Sequence, residues 1–338
     1  MHTTSDVETH VASFYDSPSE EVDPDVAEFD VPTTRLGGGS RFDLGAYRRL
    51  RALLDEFDIV HTHHNFVGSV GRLVAATTET KVVNTEHNDH NGFTHLQNIV
   101  NVPTLPLSDC IVGNSQATLD SFQWYERPFV HGVETRVIYN GVDLDRIDAQ
   151  ESTERFGDRP LVVTVGSLIE QKDQAVLVRA MEPVVRDCPE ATLVIVGSGP
   201  LRNQLERTAQ KVGVEANVIF TGYVPTREEV YRIVKSADVF AMSSDYEGFC
   251  VAAVEGMACG KPVVASDIDV FREVINEGGA FAERGNPNSF ASHIIELLTD
   301  AGRRSKLGAR ARQRAETEFP LERAVERHQE LYLDVMDE

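Results

Sequence analysis

Lysine is scarce in this chain. Lys81, Lys172, Lys211, Lys235, Lys261 and Lys306 are the only six among 338 residues. Arginine supplies the rest of 32 cationic side chains, and 54 carboxylates outnumber them to leave a net charge of −22. That excess disfavours nucleic acid and anionic bilayers as partners, because both need a basic surface to neutralise their phosphates. The acids are scattered instead of gathered in a tail, which describes a solvated acidic surface. Such a surface suits salt-rich surroundings, where screening offsets self-repulsion.

Long apolar runs are missing too. None approaches the ~20 residues of a membrane span, and the opening MHTTSDVETH lacks the charged-then-apolar pattern of a leader. The expectation is a cytoplasmic protein with at most peripheral membrane contact. Cys110, Cys188, Cys250 and Cys259 form no C-x-x-C pair, which fits a reducing compartment and no zinc ribbon. With 41% hydrophobic residues over this length, the chain suits two domains with sizeable cores.

Residues 1–43 carry the weakest pattern. Thr9 to Phe14 reads as a strand, Ser17 to Pro32 as an acidic loop, and Leu36-Gly37-Gly38-Gly39-Ser40 as a turn. A phosphate loop is the sharper reading of those glycines, but no Lys-Ser/Thr follows them. From Asp43 onward apolar strands alternate with helical periodicity. Strands are expected at Asp58–His63, Lys81–Thr85, Ser108–Gly113 and Arg136–Tyr139, then, after an acidic stretch from Asp145 to Asp158, at Leu161–Gly166, Thr192–Val196, Val218–Thr221, Asp238–Met242 and Pro262–Ala265. Alternation of this kind gives parallel sheets that bind ligands beyond their strand C-termini.

The most informative stretch is FAMSSDYEGFCVAAVEGMACGKPVVA, from Phe240 to Ala265. It reads as strand, loop, helix, turn and strand, with Gly248 opening the helix and Gly260 closing it. A strand that feeds a helix through a glycine presents free N–H groups and a positive dipole end, which suit a phosphate. Glu255 is a carboxylate on an otherwise apolar helix, and helical side chains lean toward the N-terminus. Next to bound phosphate, sugar hydroxyls are the natural partners of such an acceptor. The plainer alternative is a solvated stripe for Glu255 and an ordinary loop charge for Glu247.

The run E-G-F-C-V-A-A-V-E-G-M-A-C-G-K-P-V-V resembles the E-x7-E segment of retaining GT-B glycosyltransferases, in particular glycosyltransferase family 4. The resemblance extends in order from about Leu44 to the C-terminus. It implies an α/β protein of two Rossmann-like parallel-sheet domains facing across a cleft. Residues 1–145 would form the acceptor-side domain, 146–319 the nucleotide-sugar-binding domain, and 320–338 a helix returning to the first. Family members usually begin with an apolar strand, a glycine-rich loop and a helix. This chain starts close to the second strand, so a first domain lacking one βα unit is expected, with transfer weakened until that unit is restored.

By the same resemblance Glu255 holds the donor ribose and Glu247 lies by the donor sugar. The amides of Gly248, Phe249 and Cys250 hold the diphosphate. Gly166-Ser167-Leu168-Ile169-Glu170-Gln171-Lys172 matches a strand-end turn whose lysine compensates the diphosphate, here Lys172, although Ser167 replaces the usual arginine. Gly197-Ser198-Gly199-Pro200 resembles a loop near the nucleotide, and Val224 lies in another beside the base. Both are equally readable as plain βα turns; Arg202 in place of a third glycine rules out a dinucleotide fingerprint. His87 matches the histidine near the donor sugar. A metal site among His61, His63, His64, His87 and His90 is conceivable, but these belong to separate βα units, and no metal or cofactor is expected. Asp143-Leu-Asp145 and Asp267-Ile-Asp269 read as loop residues, and Glu273 matches a family glutamate.

The implied activity is metal-independent transfer from a UDP- or GDP-sugar to an unidentified glycan, lipid or small-molecule acceptor. Catalysis would rest on His87, Glu247 and Lys172. A nucleotide-sugar epimerase of the same fold and a degenerate donor-binding subunit are the alternatives.

Overall fold

In a computed structural model, residues 7–15, 31–40, 43–63, 65–93 and 95–337 are described, without the side chains of residues 65, 95 and 96. Most of the acidic Ser17–Pro32 segment and His64 lie outside them. Internal contacts divide the chain into two units, one of residues 1–114, 118–138 and 325–338, the other of residues 115–117 and 139–324.

The first unit holds two parallel sheets. Strands β1 (Val11–Ser13) and β2 (Thr33–Arg35) pair with each other, Val11 opposite Thr33. Strands β3 (Ile59–His63), β4 (Lys81–Glu86), β5 (Cys110–Gly113) and β6 (Glu134–Val137) form a four-stranded sheet in chain order. Buried Val83, Cys110, Val112 and Ile138 pack with Leu331 and Val335 of the last helix, Leu321–Asp337. In the glycine turn, Gly38 N–H donates to the Phe14 carbonyl at 2.8 Å and Gly39 N–H to Asp43 Oδ2 at 3.2 Å, so these two amides are already engaged within the protein. Asp43 also caps the helix Leu44–Leu54 through the amides of Gly45 and Ala46.

The second unit is one six-stranded parallel sheet. Its strands are β7 (Leu161–Val165), β8 (Thr192–Val196), β9 (Val218–Gly222), β10 (Val239–Met242), β11 (Val263–Ser266) and β12 (Gly279–Ala282). Their spatial order is β12-β11-β10-β7-β8-β9. Alternate residues of one strand point to opposite faces, and the cores follow that rule. Leu161, Val163, Val194, Val196, Phe240 and Met242 join one layer of buried apolar side chains. Val162, Leu193, Ile195, Val239 and Ala241 join the other. Burial on both faces explains why these strands read as continuous apolar runs.

Two small residues set close approaches. A Cβ on Gly256 would fall 2.6 Å from the Phe240 ring, so the helix Val251–Ala258 can lie tight against β10. A Cβ on Gly197 would meet the Gly166 carbonyl oxygen at 2.1 Å, where φ is +137°. The strand order reverses between β7 and β10, and in such sheets ligands bind beyond the strand ends where the order reverses.

Candidate functional site at the β7/β10 reversal

Chain leaves β7 through Gly166 and Ser167 and makes a 3₁₀ turn, Glu170–Lys172, before the helix Gln174–Asp187. It leaves β10 through Ser243 and Ser244 and reaches Glu247. These two exits are stitched together. Ser243 Oγ donates to the carbonyls of Lys172 and Asp173, both at 2.9 Å. Asp245 N–H donates to the Gln171 carbonyl at 2.8 Å, and Gln171 Nε2 to the Tyr246 carbonyl at 3.0 Å. Asp173 takes a left-handed conformation, φ 37°, to turn the chain into its helix.

The stitching brings Lys172 Nζ onto Glu247 Oε1, which also accepts from Ser244 Oγ at 2.7 Å. Glu247 is buried and Lys172 mostly so. Burial pulls the Lys172 pKa down, but its surroundings outweigh this and raise it overall, with the Glu247 carboxylate the anion in contact at neutral pH. Lys172 is therefore a fixed cation at neutral pH.

The helix mouth lies slightly beyond the expected place. Helical structure begins at Val251, not at Gly248, and Cys250 is the N-cap residue in a left-handed conformation, φ 69° and ψ 75°. Left-handed geometry at a non-glycine residue is uncommon, and it carries the loop's amides into the first helical turn. The Cys250 side chain makes no capping bond. Its thiol is buried, and burial pushes its pKa far up, with Glu247 adding to the rise. Cys250 is thus a protonated packing residue. Phe249 is buried beside it, and the Gly248 carbonyl accepts from Ser115 Oγ at 2.6 Å.

Glu255 sits four residues into the helix, roughly 6 Å along its axis from the mouth at ~1.5 Å per residue. Only 4% of it is exposed, so the solvated-stripe alternative does not describe it. Arg227 Nη1 donates to Glu255 Oε1 at 2.7 Å and Tyr231 OH to the same oxygen at 3.2 Å. Burial raises the Glu255 pKa; Arg227 and Tyr231 oppose the rise. Neither Arg227 nor Tyr231, both on the helix Arg227–Lys235, stood out in the sequence. Ser243 and Ser244 were legible only as the residues that end a strand.

The glycine loops also meet. Leu168 N–H donates to the Ser198 carbonyl at 2.9 Å, Leu201 N–H to the Leu168 carbonyl at 3.1 Å, and Gly197 N–H to the Gly222 carbonyl at 3.0 Å. Gly166, Ser167, Gly197 and Gly199 therefore lie in one zipped rim, with the Val224 loop following Gly222. Ser167 brings no charge to that rim; its carbonyl accepts from Gln174 Nε2 at 2.9 Å.

His87 lies in the first unit, directly after β4. Its Nε2 is 2.8 Å from His63 Nδ1, and Asn114 Nδ2 donates to its carbonyl at 3.1 Å. His61 stacks on His63 and places its own nitrogens 2.6 Å from both Tyr332 OH and Thr85 Oγ1. Among the described residues no group of three His, Cys, Asp or Glu is set to hold a metal. Of the D-x-D strings, Asp143 caps the helix Leu144–Asp148 and Asp267 pairs with Arg272. Glu273 spends both carboxylate oxygens on backbone, accepting from the Gln116 and Ala117 amides at 2.7 and 2.8 Å.

A cation, two buried carboxylates and a helix mouth at a sheet reversal fit a bound diphosphate and its sugars. The family model described as "Glycosyl transferases group 1" matches residues 145–314, and that described as "Glycosyltransferase Family 4" matches residues 3–146. The chain belongs to the glycosyl transferases group 1. EpsD of Bacillus subtilis, named as a glycosyltransferase, is 29% identical over 98% of this chain and 90% of its own length. A GDP-mannose-dependent phosphatidylinositol monomannoside mannosyltransferase of Mycolicibacterium smegmatis is 35% identical over 51% of this chain and 49% of its own. Among solved structures, Anabaena HepE in complex with UDP and glucose superposes with a TM-score of 0.83 at 20% identity, covering 96% of this chain and 91% of that one. Sucrose-phosphate synthase of Thermosynechococcus elongatus gives 0.82 at 22% identity, covering 98% and 89%. The fold of this glycosyltransferase is thus GT-B, as its motif implied.

Proposed function

We propose that this glycosyltransferase moves a sugar from a UDP- or GDP-sugar to its acceptor with retention of configuration and without a metal ion. The observation that carries the reading is the Lys172–Glu247 pair at the β7/β10 reversal, beside the helix mouth and in front of Glu255. In this reading the diphosphate takes the Lys172 ammonium and the amides from Gly248 to the first helical turn. Those groups stabilise the charge that grows on the leaving diphosphate, and they need no reorganisation to do so. Glu247, released from Lys172 by the phosphate, accepts from donor-sugar hydroxyls, and Glu255 accepts from the ribose. His87 is assigned to the donor sugar on the resemblance alone. Attack and departure on one face of the sugar give retention, so neither glutamate acts as a covalent nucleophile.

The named donors of relatives support the two bases: GDP-mannose for the mycobacterial mannosyltransferase and UDP in HepE. Nothing in this site favours the epimerase alternative. Titration of the whole chain with UDP-glucose, UDP-N-acetylglucosamine and GDP-mannose, read by calorimetry and by sugar transfer with excess chelator, tests the reading. Binding of one donor and transfer unaffected by chelator are expected. Activity abolished by chelator and restored by a divalent cation overturns metal independence, and an inverted product overturns retention.

A further inference from the structure

Both hydrogen bonds to Glu255 fall on one of its two oxygens. Arg227 Nη1 and Tyr231 OH converge on Oε1, at 2.7 and 3.2 Å, and among the described residues no group donates to Oε2. A buried carboxylate ordinarily spreads its partners over both oxygens, because each lone pair removed from water needs compensation. Here both donors sit on Oε1, and Oε2, which is not a sealed unpartnered atom, keeps its acceptor capacity open.

The two donors come from successive turns of a single helix. Arg227 opens the helix Arg227–Lys235 and Tyr231 stands four residues on, so both reach the same face. Tyr231 is 5% exposed and packs in the buried layer with Ala253 and Val254, which fixes the ring. Arg227 is half exposed, with its charged end on Glu255. Its charge also opposes the upward pull of burial on the Glu255 pKa.

We infer that Arg227 and Tyr231 are positioning residues that lock Glu255 by Oε1 and so dedicate Oε2 to the hydroxyls of a nucleotide ribose. This rests on the reading of Glu255 given above and extends it to two residues of a neighbouring helix. Its consequence is specificity. Removing the lock costs affinity only for ligands that carry ribose hydroxyls, because the phosphate end lies on other residues.

The test compares UDP and GDP with their 2′,3′-dideoxy forms by calorimetry on the whole chain. The wild type is expected to prefer the better-bound ribonucleotide over its dideoxy form by about tenfold or more, as a hydrogen bond to a charged acceptor implies. Arg227→Met is expected to reduce that preference to about threefold or less while leaving dideoxy affinity within about twofold. Arg227→Lys should retain most of the preference, and Tyr231→Phe should lose part of it. Equal weakening of both ligands in Arg227→Met and Tyr231→Phe marks a structural role and overturns the inference. So does an unchanged preference in both variants. Glu255→Gln separates the two layers of the argument. If it keeps the preference, the ribose role of Glu255 itself fails; if it loses the preference while the other variants keep it, only the positioning role fails.

Discussion

His90 Nδ1 lies 3.0 Å from Glu126 Oε2, and neither side chain reaches solvent. On its other side, His90 Nε2 is 3.5 Å from Glu86 Oε2, also buried. Arg72, buried as well, donates to Asn84, whose amide donates to Glu86 at 2.9 Å. With His90 protonated, these four groups carry two charges of each sign. Burial pulls the His90 pKa down, but Glu126 and Glu86 override it and hold it at about 9. Imidazolium is thus the resident form, clamping the end of β4 to the turn before the helix Arg127–Val130.

The sign of the pH dependence follows. A histidine whose pKa rises on folding adds stability that is complete below its unfolded value near 6.5 and is lost as pH climbs through about 9. The contribution is on the order of 3 kcal/mol at neutral pH. Hydrogen-exchange protection of the segments around residues 86–93 and 121–127, after the intrinsic base-catalysed rate is divided out, should fall between pH 7 and 10. In His90→Gln the same segments should exchange fast throughout, with no added step near pH 9. Wild-type protection that does not change with pH would remove the imidazolium from this account.

Lys172→Ala should weaken UDP or GDP far more than uridine or guanosine. Loss of a charge-assisted contact costs about 1.5–3 kcal/mol, or roughly ten- to hundredfold in affinity. Calorimetry on both ligands distinguishes this from general damage to the site; parallel losses would make Lys172 a structural partner of Glu247 only.

Gly197→Ala should destabilise the second unit. The left-handed backbone alone costs about 1–3 kcal/mol for a non-glycine residue, and the methyl would also collide with the Gly166 carbonyl. A lowered unfolding midpoint, with nucleotide binding weakened in the folded fraction, is expected. An unchanged midpoint would show that the rim can open without cost.

Net charge of −22 makes salt a stabiliser. Raising ionic strength from 0.1 to 1 M shortens the screening length from about 10 to 3 Å and relieves self-repulsion. The thermal midpoint should therefore rise with potassium chloride. A flat or falling response would mean that the acids are locally balanced.

The sequence by itself determined the parallel α/β class and most strands of the two larger sheets, and its resemblance to a family motif singled out Glu247, Glu255 and Lys172. These rest on local spacing, which the chain cannot alter on folding. Two strands were not legible: β2 is Thr-Thr-Arg, and β12 opens on the second of two glycines, so neither shows an apolar run. Tertiary structure alone decided which groups face each other. Lys172 meets Glu247 across 75 positions because β7 and β10 are neighbours at the reversal. Glu255 gains Arg227 and Tyr231 because the helix that carries them packs beside its own, and His90 gains its two carboxylates from a strand end and a distant turn. Pairing energies of buried charges depend on through-space distance and desolvation, and both are set by the path of the whole chain.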